Sequence, residues 1–110
     1  MTAEKCIALV DTLLPNAVPT LLKQRWLAEL EGFILVDIRH HDPEAMEMDD
    51  EIAEGLVLSV PFPYDRVYWT YLAAMVDYYR GDVTRYGESS QLFERSLEDY
   101  AKWYQRERRC

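Results

Sequence analysis

The segment from Val60 to Asp82, VPFPYDRVYWTYLAAMVDYYRGD, constrains the fold of this chain more than any other part. Two prolines stand at its start, Gly-Asp stands at its end, and seven aromatic side chains lie between. Its apolar residues recur every three or four positions, which predicts a helix with one broad apolar face. The face contains Tyr64, Val67, Tyr68, Tyr71, Leu72, Met75, Tyr78 and Tyr79, and is widened by Trp69 and Val76. We expect most of these aromatic rings in the core, with a remainder available to a protein partner.

The residues before this helix predict an extended arm over 56–62. The sequence LVLSV is rich in branched side chains and too short for a helix, and each following proline favours extended geometry in the residue before it. Pro63 suits the first position of the helix, where its missing N–H costs nothing. A strand this short has no sheet of its own, so we expect it to pair with another segment or another subunit.

A tight helical hairpin is predicted by Gly81 and Asp82. Glycine is favoured where a helix ends in a left-handed residue, and aspartate can cap the helix that follows. The last helix then extends from about Val83 to Arg106, with a near-heptad apolar register and a length of about 35 Å. We expect its final turns, around Trp103, to project beyond the other helices or to lie on something else.

Two more helices are predicted in the first forty residues. Thr2 can cap a helix that Pro15 ends, and Thr20 or Pro19 opens a second helix extending to about His40. The second helix has its apolar face at Leu22, Trp26, Leu27, Leu30, Phe33, Ile34 and Ile38, and its outward face at Lys23, Glu29, Glu31 and Asp37. The sequence therefore predicts an all-α fold: a small four-helix bundle in a single domain, 1–110, with a long C-terminal helix and one short extended strand or arm between helices 2 and 3.

The net charge of −8 is concentrated in one segment. Residues 42–54 contain seven acidic side chains and no basic one, whereas the end of the chain, KWYQRERR, is mostly basic. This asymmetry favours head-to-tail contact between copies or docking on a charged partner. The alternative interpretation is a solvated loop and a fraying tail.

The sequence contains no recognisable catalytic or cofactor motif. His40 and His41 are neighbours that cannot both face one metal from a helix, and no glycine-rich phosphate loop is present. The acidic segment lacks the oxygen spacing of a calcium loop. No serine or cysteine lies beside a plausible base. We therefore expect a protein that is not an enzyme and has no metal or other cofactor.

Other classes of protein are disfavoured by composition. No apolar run is long enough to span a membrane, and the first residues, MTAEK, do not predict a secretory signal, so we expect synthesis in the cytoplasm. The sequence pI of about 4.7 opposes nucleic-acid binding. Cys6 and Cys110 are interpreted as a buried small residue and a loose tail rather than a disulfide.

Two stretches carry a resemblance to a known family. The run QRWLAELEGFI, from Gln24 to Ile34, precedes a charged loop, and LVLSVPFPYDRVYWTYLAAMVDYYRGDVTRYGESSQLFERSLEDYAKWYQR extends from Leu56 to Arg106. Together they are similar to the small head-tail connector proteins of tailed bacteriophages and prophages, also called head-completion or adaptor proteins. The resemblance covers nearly the whole chain and depends on the order of structural elements, not on catalytic residues.

The resemblance implies a structural virion protein, made in the bacterial host cytoplasm and located in the virion neck. Such a protein forms a ring of about a dozen copies under the portal protein, extends the DNA channel and joins the capsid to a downstream neck or tail-completion protein. DNA would pass through without sequence-specific binding, and no membrane is involved. We expect the subunit or portal interface to contain Leu56, Val57, Leu58, Val60, Phe62, Trp103, Tyr104, Arg106, Arg108 and Arg109.

A second hypothesis makes no use of the resemblance. A small helical chain with surplus aromatic surface can also be a protein–protein interaction or regulatory module unrelated to virions. The two hypotheses differ in their partners: the connector binds a portal and copies of itself.

Overall fold

The computed structural model describes residues 1–39 and 58–108, and side chains up to residue 107. Four α-helices confirm the all-α prediction: α1 (Ala3–Leu13), α2 (Thr20–Phe33), α3 (Arg66–Tyr79) and α4 (Val83–Arg108). A π-helical turn, Ile34–Ile38, continues α2. Within the described residues no strand is present. The acidic segment 42–54, with Leu56, Val57 and Arg109, lies outside the described residues.

The predicted helix ends at three positions are confirmed by backbone geometry. The Thr2 hydroxyl accepts a hydrogen bond from the Lys5 N–H at 3.2 Å and caps α1. The Asp82 carboxylate accepts from the Arg85 N–H at 3.1 Å and caps α4. Gly81, between α3 and α4, has a φ of 74°, the left-handed conformation that glycine adopts without a Cβ clash. The two long helices therefore form the expected hairpin.

The second helix differs from the prediction after Phe33. Its last five residues form a π-helical turn in which the Arg39 N–H donates to the Ile34 carbonyl at 3.0 Å. The wider turn changes the direction in which later side chains leave the helix. Phe33, predicted on the apolar face, is instead 44% exposed.

The third helix begins at Arg66, three residues later than predicted. The Tyr64 N–H, which a helix starting at Pro63 would leave free, donates to the Pro61 carbonyl at 2.8 Å. Residues 62–65 form a turn and the Phe62–Pro63 peptide bond is cis. A turn therefore occupies the positions that were predicted to open the helix.

The core lies where α3 crosses α1, α2 and α4. α3 is the central element, since it contacts each of the other three α-helices. The buried side chains include Cys6, Val10, Leu27, Ile34, Leu58, Val60, Val67, Tyr68, Leu72, Val76 and Tyr100. Among the described residues every helix is too short or too polar to cross a bilayer.

Two charged residues predicted to face water are buried. Lys23 is 3% exposed and its ammonium lies 2.6 Å from the Asp11 carboxylate on α1. Glu31 is also 3% exposed, with partners in the arm and in α3. Both predictions were wrong because hydrogen-bonded partners from distant segments offset the cost of burying these charges.

Candidate functional site

A polar cluster around Glu31 holds the described end of the arm against the bundle. The Glu31 carboxylate accepts hydrogen bonds from the Ser59 N–H at 2.8 Å and from the Ser59 hydroxyl at 2.6 Å. The Tyr68 hydroxyl lies 3.3 Å from both carboxylate oxygens and accepts from the Val60 N–H at 2.9 Å. α2 and α3 therefore fix the arm backbone together.

Tyr68 is neutral in this cluster. Burial raises the pKa of its phenol, and the nearby Glu31 carboxylate raises that pKa further. The neutral hydroxyl can donate to the carboxylate while it accepts from the Val60 N–H. The Glu31 carboxylate therefore receives its hydrogen bonds from neutral donors, the N–H and hydroxyl of Ser59 and the hydroxyl of Tyr68.

Arg39 joins the π-helical turn to the arm and to α4. Its Nε donates to the Tyr100 hydroxyl at 2.9 Å, and its Nη2 donates to the Ser59 carbonyl at 3.1 Å. The guanidinium carbon also lies 5.6 Å from the centre of the Tyr104 ring, within cation–π distance. From its position at the end of the π-helical turn, the Arg39 side chain therefore connects this turn with the arm and with α4.

The structure separates the predicted arm residues into two groups. Leu58 and Val60 are 3% and 1% exposed, and the Leu58 N–H donates to the Met1 carbonyl at 2.9 Å. The arm was predicted to pair with another segment or another subunit, and here it is another segment of the same chain that covers these two residues. Their predicted place in a subunit or portal interface is corrected, because their side chains are buried. Phe62 is 85% exposed and remains available to a partner.

The last turns of α4 are less isolated than predicted. The Trp103 ring stacks on Tyr64 with centroids 5.1 Å apart and lies 6.0 Å from Tyr100, and Tyr104 is half-buried beside Tyr100. Of the two predicted alternatives, projecting and lying on another element, the second describes Trp103, because the turn before α3 supplies Tyr64 as its packing partner.

The exposed positions at the end of α4 are polar. Lys102 and Arg106 are exposed, and together with Tyr64, Asp99 and Gln105 they line an open groove of about 550 Å³. The backbone of Arg108 belongs to α4 and its side chain is outside the described residues. Among the predicted interface residues, Phe62 and Arg106 are thus the two whose described side chains are exposed.

The opposite end of the bundle carries an apolar surface that sequence reasoning missed. Tyr78, Tyr79 and Val83 are 64%, 53% and 81% exposed, and the Tyr78 and Tyr86 rings lie 5.5 Å apart. We call these four residues the hairpin surface. Tyr78, Val83 and Tyr86, with Gly81 and Asp82, line an almost wholly apolar groove of about 200 Å³.

Neighbouring segments extend the apolar character of this end. The Arg80 guanidinium donates to the Pro15 carbonyl, which brings the connection between α1 and α2 beside the hairpin. Leu13 and Leu21, on either side of that connection, are 58% and 79% exposed. The sequence signal for this surface was the Gly81-Asp82 turn. Side chains beside such a short turn lie at the end of the helical hairpin, where few neighbouring residues can cover them.

A buried carboxylate behind the hairpin surface has a structural role. Asp77 on α3 is 1% exposed and its Oδ2 accepts from the Ser89 hydroxyl at 2.6 Å. Among the described residues no group donates a hydrogen bond to its Oδ1, and the Arg85 Nε lies 3.9 Å away. The hydrogen bond between Asp77 and Ser89 therefore joins α3 to α4. Because Asp77 is buried, the side chains that remain available to a partner are aromatic, apolar and cationic.

No protein-family model matches the chain, and no curated protein or solved structure matches it significantly.

Proposed function

We propose that this chain is a head-tail connector, a structural virion protein that forms a ring under the portal protein and joins the capsid to the tail. The sequence resemblance suggests the class, and one structural observation supports it best. The bundle has exposed apolar side chains at both ends, at Phe62 and at the hairpin surface. A subunit in the middle of a stacked assembly needs contacts in two directions, whereas a simple binding module needs one.

The groove at the end of α4 suits docking on another protein. Its rim combines the exposed cations Lys102 and Arg106 with the Tyr64 ring, on which Trp103 stacks. Arginine, tyrosine and tryptophan commonly provide most of the binding energy at protein interfaces. We assign this groove to the portal protein, which leaves the other surfaces for copies of the chain and for the next neck component.

The proposal is tested by mixing the chain with the portal protein encoded in the same gene cluster. Electron microscopy is expected to show an added ring of density on the portal. Lys102→Glu with Arg106→Glu is expected to weaken binding at least tenfold, since two attractive charges become repulsive. Arg95→Glu, an exposed charge change earlier on the same helix, is the matched control and is expected to bind like the unmodified chain.

Two results would contradict the connector proposal. Failure to bind the portal at any concentration, with the chain folded, is one of them. A stable one-to-one complex with an unrelated protein, formed through the hairpin surface, is the other, and it would favour the interaction or regulatory module.

A further inference from the structure

Phe62 is an apolar knob that the described residues of its own chain leave almost uncovered. It is the most exposed large hydrophobic side chain of the described residues, at 85%. It lies before the first turn of α3, and the hairpin groove lies at the other end of α3. The 14 residues of α3 separate the two by about 21 Å, so Phe62 cannot reach the groove of its own chain.

The hairpin groove has the size and chemistry to accept such a side chain. Its volume of about 200 Å³ is large enough for one phenyl ring, and its lining is apolar. Two tyrosine rings, Tyr78 and Tyr86, form the walls, and aromatic pairs contribute beyond the area that they bury.

Each of the two features lies beside one acidic and one basic residue, so neither carries a net local charge. Phe62 is followed by Asp65 and the exposed Arg66, one acid and one base. The groove is lined by Asp82 and followed by the exposed Arg85, again one acid and one base. Two copies can approach with opposite charges facing each other, so charge does not oppose the contact and can orient it.

We propose that two copies of this chain bind head to tail, with Phe62 of one copy in the hairpin groove of the next. The contact rests on the proposed function, since it names the surface through which connector subunits meet. It uses different patches on the two partners, so it repeats: each copy still has one free knob or one free groove. Such a contact closes into a ring or continues as a filament.

Two single variants separate this contact from a symmetric one. Phe62→Ala removes the knob and keeps the groove, whereas Val83→Asp adds a charge to the groove and keeps the knob. Both side chains are exposed, at 85% and 81%, so both variants are expected to retain the circular dichroism and thermal midpoint of the unmodified chain. Leu92→Ala, on the exposed side of α4, is the control.

Sedimentation velocity of the variants gives the decisive result. The unmodified chain and the Leu92→Ala variant are expected to form oligomers, and each single variant is expected to associate at least tenfold more weakly. An equal mixture of the two variants is expected to stop at a dimer, because one intact knob meets one intact groove and no further contact is possible.

Three outcomes would overturn the contact. They are an unmodified chain that stays monomeric up to about 1 mM, self-association by Phe62→Ala at unchanged affinity, and a mixture that forms no dimer. The same samples are then added to the portal protein. If the chain binds the portal but does not self-associate through Phe62, the proposed connector function is retained and the head-to-tail contact is rejected. If it self-associates through Phe62 but does not bind the portal, the contact is retained and the connector function is rejected.

Discussion

At the scale of single residues, Gly81 is the position where backbone conformation alone decides stability. Its φ of 74° is unfavourable for any residue with a Cβ, although a Cβ added there would meet no atom within 4 Å. Gly81→Ala is therefore expected to lower the free energy of unfolding by about 1 kcal/mol, measured by urea denaturation. Gly87→Ala is the control with opposite sign, because Gly87 lies inside α4 with open space around it and alanine favours the helix.

The raised pKa of Tyr68 predicts how the stability of the fold depends on pH. Its pKa is raised in the folded chain from the ordinary value of 10.0, chiefly by burial. A group whose pKa is raised by folding stabilises the fold below the unfolded pKa, and this contribution is lost as pH rises through the folded value. We expect the urea midpoint to fall as pH increases above about 10.

The Tyr68→Phe variant tests that assignment. It leaves the Val60 N–H and one Glu31 contact unsatisfied, so it is expected to lower the free energy of unfolding at pH 7 by about 1–3 kcal/mol. It is also expected to flatten the decline above pH 10. Tyr79→Phe, at an exposed position, is expected to change neither quantity, and an equal effect of the two variants would contradict the assignment.

The residues that sequence reasoning missed are charged and buried. A helical wheel assigns Lys23 and Glu31 to the outward face, because it counts polarity and contains no information about distant partners. Asp11 lies 12 residues from Lys23, and Ser59 lies 28 residues from Glu31. Such pairs become visible when the tertiary arrangement is known.

At the scale of elements, the end of α4 contains one residue that packs, Trp103, and one exposed charged residue, Arg106. Trp103 stacks on Tyr64 and lies beside Tyr100, so its side chain contributes to packing as well as to the predicted interface. Trp103→Ala is now expected to lower the free energy of unfolding by about 2 kcal/mol.

Arg106→Glu is the partner variant for that measurement. The position is exposed near the end of the helix, so the substitution is expected to change stability by less than about 0.5 kcal/mol. Both values come from urea denaturation followed by circular dichroism. If the two variants lowered the free energy of unfolding equally, the assignment of packing to Trp103 and of an exposed charge to Arg106 would be contradicted.

The elements with a strong local signal were predicted closely. Thr2, Gly81 and Asp82 each act through a short-range hydrogen bond or a single dihedral angle, so the sequence nearby contains the necessary information. The π-helical turn and the late start of α3 depend on contacts between segments, such as Arg39 with Tyr100. Periodicity cannot show these contacts, and the predicted helix boundaries failed at these two places.

At the scale of the whole molecule, the chain is elongated, with extents of 43 × 29 × 21 Å. An elongated bundle has two ends that its own helices cannot cover. The sequence predicted surplus aromatic side chains on α3, but it placed the predicted interface residues in the arm and the last helix. The hairpin surface lies instead at the turn that joins α3 to α4.

Cys6 reports on opening of the whole bundle. It is fully buried, and burial raises the pKa of its thiol to about 12. In a Cys110→Ser variant, the remaining thiol is expected to react with a disulfide reagent at pH 8 only when the bundle opens, so the rate should follow global stability. Adding Gly81→Ala is expected to increase that rate about fivefold, and an unchanged rate would mean that α1 detaches by itself.

The hydrogen bond from Arg39 to the Ser59 carbonyl brings the chain on either side of residues 40–57 together. Between two positions held in this way, the number of connecting residues can change at little energetic penalty, about 0.6 kcal/mol for each doubling. An epitope tag or a fluorophore spliced between these anchors should therefore leave the bundle folded. Natural insertions of differing size would be tolerated at the same junction.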